Sequence, residues 1–185
     1  MGRHAGGVPT IAFRSLTEAD LTLVARWLRE EHVQTWWKDP SAPERVRAKY
    51  LPRIRGDDPT NMYVIMCDGQ GVGLIQSYRV GDHPGWAKTI AGSGLAFPSA
   101  AGIDYLIGER HLVGQGIGST AIGAFTDFVF AADLDVERIV VTPQAANRAS
   151  CRVLEKAGYE LVWTGILDSD DPSDSGLAAL YVRTR

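Results

Sequence analysis

The chain has 185 residues, 45% of them apolar and 22% charged, which suits one globular domain with a substantial core. Its net charge of −3 speaks against a basic nucleic-acid-binding surface, and no apolar run approaches the roughly 18 residues of a membrane span. The two cysteines, Cys67 and Cys151, make no disulfide framework, so a reduced, cytoplasmic setting is the expectation.

Residues 1–9 lack the charged and apolar regions of a signal peptide and are expected to form a loose tail ahead of a single domain at 10–185. Thr10 to Arg14 reads as a first strand. Thr17 can cap the helix that follows, with Asp20 in the place usually held by Glu or Gln. Leu21, Val24, Trp27 and Leu28 recur at helical spacing and give one buried stripe. Glu31 to Trp37 continues as a shorter helical piece, and Ala42 to Tyr50 reads as a helix stopped near Pro52. Met62–Cys67 and Val72–Tyr78 flank Asp68-Gly69-Gln70-Gly71, a hairpin signal. Residues 79–100 are rich in Gly, Pro and Ala with little periodicity, and read as a long functional or disordered loop.

Ala101 to Gly108 reads as a strand carrying one acid, Asp104. Then come Val113-Gly114-Gln115-Gly116-Ile117-Gly118-Ser119 and an apolar helix at Thr120–Ala131. Glycines at alternate positions leave the amides of this turn uncovered, and a helix start presents orphan N–H donors at the positive end of its dipole. That combination can hold a diphosphate. No Gly-Lys-Ser/Thr follows, so the turn is no P-loop, and its spacing is not that of a dinucleotide-binding turn. Arg138–Thr142 reads as a strand, Asn147–Ala157 as a helix closed by Gly158, and Tyr159–Thr164 as a strand. Asp168–Ser175 is an acidic loop and Leu177–Val182 a last strand. The order describes a mixed α/β domain with an antiparallel first half and a parallel centre, where the strand of Asp104 meets the strand ending at Thr142.

This order, together with His111-Leu112-Val113-Gly114-Gln115-Gly116-Ile117-Gly118 and the block Asn147 to Tyr159, resembles the GCN5-related N-acetyltransferase (GNAT) fold. Within it the chain resembles the aminoglycoside 6′-N-acetyltransferases, through Arg26-Trp27-Leu28, His32-Val33 with Trp36-Trp37, Lys49-Tyr50-Leu51-Pro52, Gln76-Ser77-Tyr78 and Gly102-Ile103-Asp104. The resemblance implies acetyl-CoA as cofactor. The amides from Gly114 to Ser119 would hold its diphosphate, with Val113, Gln115 and Ile117 in the same turn. The backbone amides of Leu106 and Ile107, rather than their side chains, would point at the thioester carbonyl where the family's fourth strand bulges, and Asn147 would touch the pantetheine arm or fix the neighbouring strand. It also implies cytoplasmic antibiotic resistance by direct attack of an amine within a ternary complex. The enzyme would be a monomer or homodimer without metal, nucleic-acid or membrane partners.

Each residue carries a blander alternative. Asp104 is either the base that takes the amine proton or a structural acid bonded to a neighbouring loop. Trp36 and Trp37 are either a platform for a sugar or an ammonium group, or core; Tyr78 and Trp86 are further wall candidates. His111 bonds a phosphate or is a solvated loop residue, and Glu109 is the reserve base. Cys151 reads as a small core residue, and the acids Asp168, Asp170, Asp171 and Asp174 either attract a polycation or form a solvated loop.

Two departures from the family pattern bear on the acceptor. Thr142 stands before Pro143 where the 6′-enzymes carry an acid that meets the aminoglycoside. Leu154 stands where they carry a tyrosine taken to protonate the thiolate. Lys88 sits in the long loop, which holds no acid between Ala87 and Ala101. Fewer carboxylates leave room for a less cationic aminoglycoside, such as kasugamycin modified at a 2′ amine. Other readings are transfer to a siderophore hydroxylamine, a polyamine or a protein N-terminus, or a regulatory acyl-CoA-binding module without catalysis.

Overall fold

A computed structural model describes residues 9–185, so the expected tail lies, but for Pro9, outside the described residues. The first half of the sheet is built around a tight hairpin. Asp68 and Gly69 adopt left-handed φ of 49° and 80°, the primed turn that matches strand twist. It joins β2 (Asn61–Cys67) to β3 (Gln70–Arg79), with β1 (Ile11–Ser15) on the outer side of β2. The chain then adds β4 (Ala100–Ile107), β5 (Arg138–Val141), β6 (Glu160–Ile166) and β7 (Leu177–Thr184). The sheet runs β1-β2-β3-β4-β5-β7-β6, antiparallel throughout except for the expected parallel pair β4–β5.

That parallel pair positions everything that follows. β4 and β5 pair only through Ala100↔Arg138, Ala101↔Ile139 and Gly102↔Val140. β4 continues to Ile107, whereas β5 ends at Val141 and meets Pro143, which has no N–H to extend a ladder. The strands therefore part after Gly102, leaving the outer edge of β4 from Ile103 onward open beside Asp104.

Helices cover both faces. α5 (Ile117–Ala132) and α6 (Arg148–Lys156) pack Ile122, Phe125 and Leu154 against Ile103 and Ile139. α1 (Leu21–Trp27), α2 (Glu31–Gln34) and α3 (Pro43–Arg55) cover the opposite face, with Val24, Trp27 and Tyr50 against Leu74 and Leu106. Each fully buried side chain of this size contributes roughly 1.5–3 kcal/mol through area removed from water.

Two expectations are corrected. α3 does not stop near Pro52 but runs through it to Arg55 and closes at Gly56, φ 81°. The missing Pro52 N–H costs one helical bond to the carbonyl four residues back, on Ala48, whose exposed position leaves that carbonyl near water. Residues 79–100 are not structureless. They form a 3-10 turn at Val80–Asp82 and α4 (Pro84–Ala91), which starts on Pro84 and buries Ile90 against Ala100, Val140 and Leu180.

Candidate active site

The gap between β4 and β5 opens into one continuous cleft of roughly 1420 Å³ that runs from the glycine turn to the acidic loop. Ligand pockets commonly span about 300–1,000 Å³, so this cleft has room for two ligands side by side.

At one end lies the glycine turn. Gly114 and Gly116 hold φ of 82° and 84°, and nothing lies within 4 Å of where a Cβ would stand on either. Gly116 is the N-cap of α5, and the first helical hydrogen bond is the one from Thr120 N–H to the Gly116 carbonyl. The amides of Ile117, Gly118 and Ser119 are thus the orphan donors of a helix start. Val113, Gly114, Gly116, Gly118 and Ser119 line the cleft. His111 and Gln115 do not; they are exposed, and Gln115 Nε2 donates to the His111 carbonyl at 2.6 Å. Ile117 is buried and anchors the helix in the core. The side chain of Val153 lies 3.5 Å from where a Cβ on Gly118 would stand, and Arg152 and Lys156 of the same helix α6 also line the cleft. These two cations escaped the sequence reading, although they stand in the quoted block after Asn147.

Asn147 is the N-cap of α6, its side-chain oxygen accepting from Ser150 N–H at 3.1 Å. Leu154 is fully buried in the core and offers no polar atom. One turn earlier on α6, the Ser150 hydroxyl pairs with the Tyr105 hydroxyl from β4 at 2.6 Å, and both residues line the cleft.

The middle of the cleft belongs to Asp104. On β4 it projects to the same face as Gly102 and Leu106. Gly102 is required there: a Cβ would stand 2.4 Å from the Tyr78 ring, which lies over it and brings the phenol beside Asp104. Gln76, directly opposite on β3, donates from Nε2 to Asp104 Oδ2 at 2.7 Å. Arg53, at the end of α3, donates from Nη1 to Gln76 Oε1 at 2.9 Å. Burial pushes the Asp104 carboxyl above the usual carboxylate range, against the pull of Gln76, Arg53 and Tyr78. The Tyr78 phenol is held well above its usual value, by burial first and by Asp104 next. Glu109 is no reserve base, because its carboxylate is taken by Trp27 Nε1 at 2.9 Å and by Arg26. Those partners hold its carboxyl below the usual value, the Trp27 bond most of all.

Where β4 ends, backbone groups are already assigned. The Leu106 carbonyl lies 2.2 Å from where a Cβ on Gly73 would stand, so it turns toward β3. The Ile107 carbonyl accepts from His32 Nε2 at 2.9 Å. Both residues line the cleft.

Trp36, Trp37, Tyr78, Trp86 and Thr142 all line the cleft. Trp37 also packs on the α1–α3 core and Trp86 on the α4 core, so both rings line the cleft while packing on a core cluster. Asp39 joins them, its carboxylate held by Lys49 Nζ at 2.5 Å and Tyr50 hydroxyl at 2.7 Å. The acidic loop is more than solvated surface. Lys38 N–H donates to Ser173 Oγ at 3.0 Å, Thr89 hydroxyl to the Asp168 carbonyl at 2.7 Å, and Gln144 Nε2 to the Ser173 carbonyl at 2.8 Å. Those ties place Asp168, Asp170, Asp171 and Asp174 on the cleft wall. Burial, then Asp171 and Asp104, push the Asp174 carboxyl up against the pull of Ser169. Among the described residues no cluster of His, Cys, Asp and Glu is arranged to hold a metal, and no helix is long and apolar enough to cross a membrane.

Comparisons with known proteins agree with this geometry. The family described as "Acetyltransferase (GNAT) domain" matches residues 17–165. An aminoglycoside N(6′)-acetyltransferase type 1 of Klebsiella pneumoniae is 30% identical over 180 residues, 95% of this chain and 84% of that protein. The crystal structure of aminoglycoside acetyltransferase AAC(6′)-Ib in complex with coenzyme A and kanamycin superposes with a TM-score of 0.81 at 29% identity, covering 95% of each chain. An N-hydroxyputrescine acetyltransferase of Acinetobacter baumannii is 32% identical over 60 residues, 32% of this chain and 28% of that protein.

Proposed function

The chain belongs to the GNAT family of N-acetyltransferases, and on that premise we propose that it transfers the acetyl group of acetyl-CoA to an amine of an aminoglycoside. The observation that carries the reading is the continuous cleft that joins an uncovered helix start to a half-buried acid across a parted parallel strand pair.

The residues present fit the acetyl-CoA they are asked to hold. Open space over Gly114 and Gly116 leaves room for a diphosphate against the amides of Ile117, Gly118 and Ser119. Arg152 and Lys156 add positive charge to the cleft. Beyond Gly102 the edge of β4 has no strand partner on the β5 side, so its backbone there, apart from the engaged Leu106 and Ile107 carbonyls, can meet an extended amide-bearing arm. Acetyl-CoA supplies an acyl thioester whose carbonyl carbon is the electrophile.

A substrate ammonium near the lysine reference pKa of about 10.4 is mostly protonated at neutral pH. Asp104 first binds it as an ion pair and then accepts its proton, directly or through water, so that the nitrogen lone pair can attack. The C–N bond would form and the C–S bond break, with the second proton shed by the acylated nitrogen passing to the departing thiolate. Burial raises the proton affinity of Asp104 toward that role. Leu154 gives the thiolate nothing, whereas the Tyr105–Ser150 hydroxyl pair lines the cleft and can donate a hydrogen bond to it. A thiol has a reference pKa near about 8.5, so the departing group tolerates a weak donor.

Family membership and the aminoglycoside N(6′)-acetyltransferase relatives favour the 6′ amine. A 2′ amine on a less cationic drug of the kasugamycin type is the second reading. Arg53, Lys49 and Lys88 line the cleft, and neutral Thr142 precedes Pro143, so the pocket carries both signs of charge. The test follows thiol release from acetyl-CoA with kanamycin, ribostamycin, kasugamycin, a polyamine, a hydroxylamine and an N-terminal peptide. Turnover of one or more aminoglycosides with kcat/KM at least about tenfold above the others supports the reading, a difference of about 1.4 kcal/mol. Preference for the peptide, polyamine or hydroxylamine would replace it.

A further inference from the structure

We propose that Arg53 and Gln76 form an orientation lock that fixes Oδ2 of Asp104 as a hydrogen-bond acceptor and reserves Oδ1 as the oxygen that takes the substrate proton. The inference rests on the base role of Asp104.

The argument uses donor and acceptor counting alone. Arginine has donors and no acceptor, so the Gln76 atom 2.9 Å from Arg53 Nη1 must be the amide oxygen. The other end of that amide is then NH2, and it stands 2.7 Å from Asp104 Oδ2. A flipped amide would set donor against donor at Arg53. An amide NH2 can only donate, so Oδ2 must keep a lone pair toward it; a hydroxyl oxygen is the poorer acceptor, so a proton on Oδ2 would weaken the bond whereas one on Oδ1 leaves it whole. Gln76 is 7% exposed, so water cannot readily replace the weakened contact. Asp104 can therefore be protonated on Oδ1 with the lock intact.

Without Arg53 the Gln76 amide is free to turn. Its carbonyl then accepts a hydrogen bond from the O–H of a neutral Asp104 acid, which stabilises the protonated carboxyl. Arg53 acts through Gln76 and is a positioning residue. It is steadied by Asp58, which accepts from Nε at 3.4 Å, and by the Tyr50 ring under its guanidinium at 5.8 Å. The remaining charged or titratable groups around Asp104 come from other elements. Tyr78 of β3 stands beside it, His83 meets the Tyr78 ring edge-on, and Asp171 and Asp174 approach from the acidic loop. Burial and Asp171 favour the protonated carboxyl, and Gln76, Arg53 and Tyr78 favour the charged one. This device also explains why an arginine is tolerated in a pocket that receives an ammonium.

The experiment measures kcat/KM for one amine against pH in the wild type and in Arg53→Met, Gln76→Met, Arg53→Lys and Asp104→Asn, after thermal melting confirms folding. A base is active when deprotonated, so losing a group that favours the carboxylate moves the acid limb to higher pH. Arg53→Met and Gln76→Met should each move it up by about one unit, the scale expected for one lost charge or hydrogen-bond partner. Arg53→Lys, still a cation without an acceptor, should return most of that shift. Acid limbs unchanged in both Met variants, with only the plateau lowered, would overturn the lock. Should Arg53→Met fail to fold, Gln76→Met alone decides. Asp104→Asn separates this from the underlying reading. If that variant keeps the wild-type acid limb, the base assignment fails; if it loses the limb while the Met variants do not shift, only the lock fails.

Discussion

At Gly116 the backbone and the proposed ligand make demands on one residue. Its φ of 84° is a conformation that side chains rarely adopt, and the space where a Cβ would stand is open. A valine there would strain the backbone as well as fill the site, so loss of binding would be ambiguous. Asparagine tolerates left-handed φ far better. Gly116→Asn should leave the melting temperature within a few degrees of wild type, a cost of about 1 kcal/mol or less. Its affinity for acetyl-CoA, read by calorimetry, should fall by about tenfold or more, because the side chain and the diphosphate compete for one space. Unchanged affinity in a folded Gly116→Asn protein removes the turn from the cofactor site. Asp104 was legible in the sequence because a lone acid inside a strand needs a reason. Gln76 and Arg53 were not, since nothing in a sequence says which side chains a sheet register and a helix end will bring to one carboxylate.

At the scale of elements, the ends of helices decide what the site contains. Thr17 and Asp20 form the expected reciprocal cap, with the Asp20 carboxylate accepting from the Thr17 amide at 2.8 Å and the Thr17 hydroxyl at 2.7 Å. Arg14 of β1 grips the same carboxylate through both terminal nitrogens at 2.9 Å, tying strand to helix. Those bonds, Arg14 first and Thr17 after it, lower the Asp20 carboxyl to about 2. A depressed carboxylate contributes stability above its unfolded value near about 3.9, and that contribution is lost as pH falls toward 2. Asp20→Asn should therefore cost about 1 kcal/mol at neutral pH, the usual value of a cap. In urea unfolding the gap between variant and wild type should close between pH 4 and pH 2; a gap independent of pH contradicts this account.

The capping pair was readable because both partners sit within one turn. Pro52 misled because proline usually ends a helix, whereas here the freed carbonyl faces solvent and the helix goes on to deliver Arg53. The segment 79–100 misled because α4 is short and makes its contacts with distant residues of β4, β5 and β7.

The whole molecule carries a net charge of only −3, so attraction for a polycation must come from where charges are placed. Asp168 and Asp170 stand on the cleft wall with exposed side chains, held there by backbone and neighbouring ties. The double change Asp168→Asn, Asp170→Asn should lower kcat/KM for a polycationic aminoglycoside several-fold at low salt. That loss should disappear near 1 M salt, where the screening length shrinks to about 3 Å. A loss that persists at high salt would mean that these residues shape the wall and do not attract the substrate. The mixed sheet, its parallel centre and the glycine turn at a helix start were legible because strand patterns and glycine spacing can be read along the chain. The rest of the cleft was not, because its wall comes from α2, α3, α4, the loop after β5 and the loop before β7.

The central claim is that Asp104 takes the proton from an amine in this cleft, and Asp104→Asn measures it most directly. Asparagine keeps the shape and one hydrogen-bond acceptor but removes the charge and the proton-accepting oxygen. The account predicts that kcat/KM for the amine falls by about 10²–10⁴ and that the acid limb of its pH profile vanishes. Acetyl-CoA affinity, measured on the same protein, should stay within about twofold, since the diphosphate end is untouched. Near wild-type kcat/KM with the same acid limb would contradict the account and make Asp104 a structural acid.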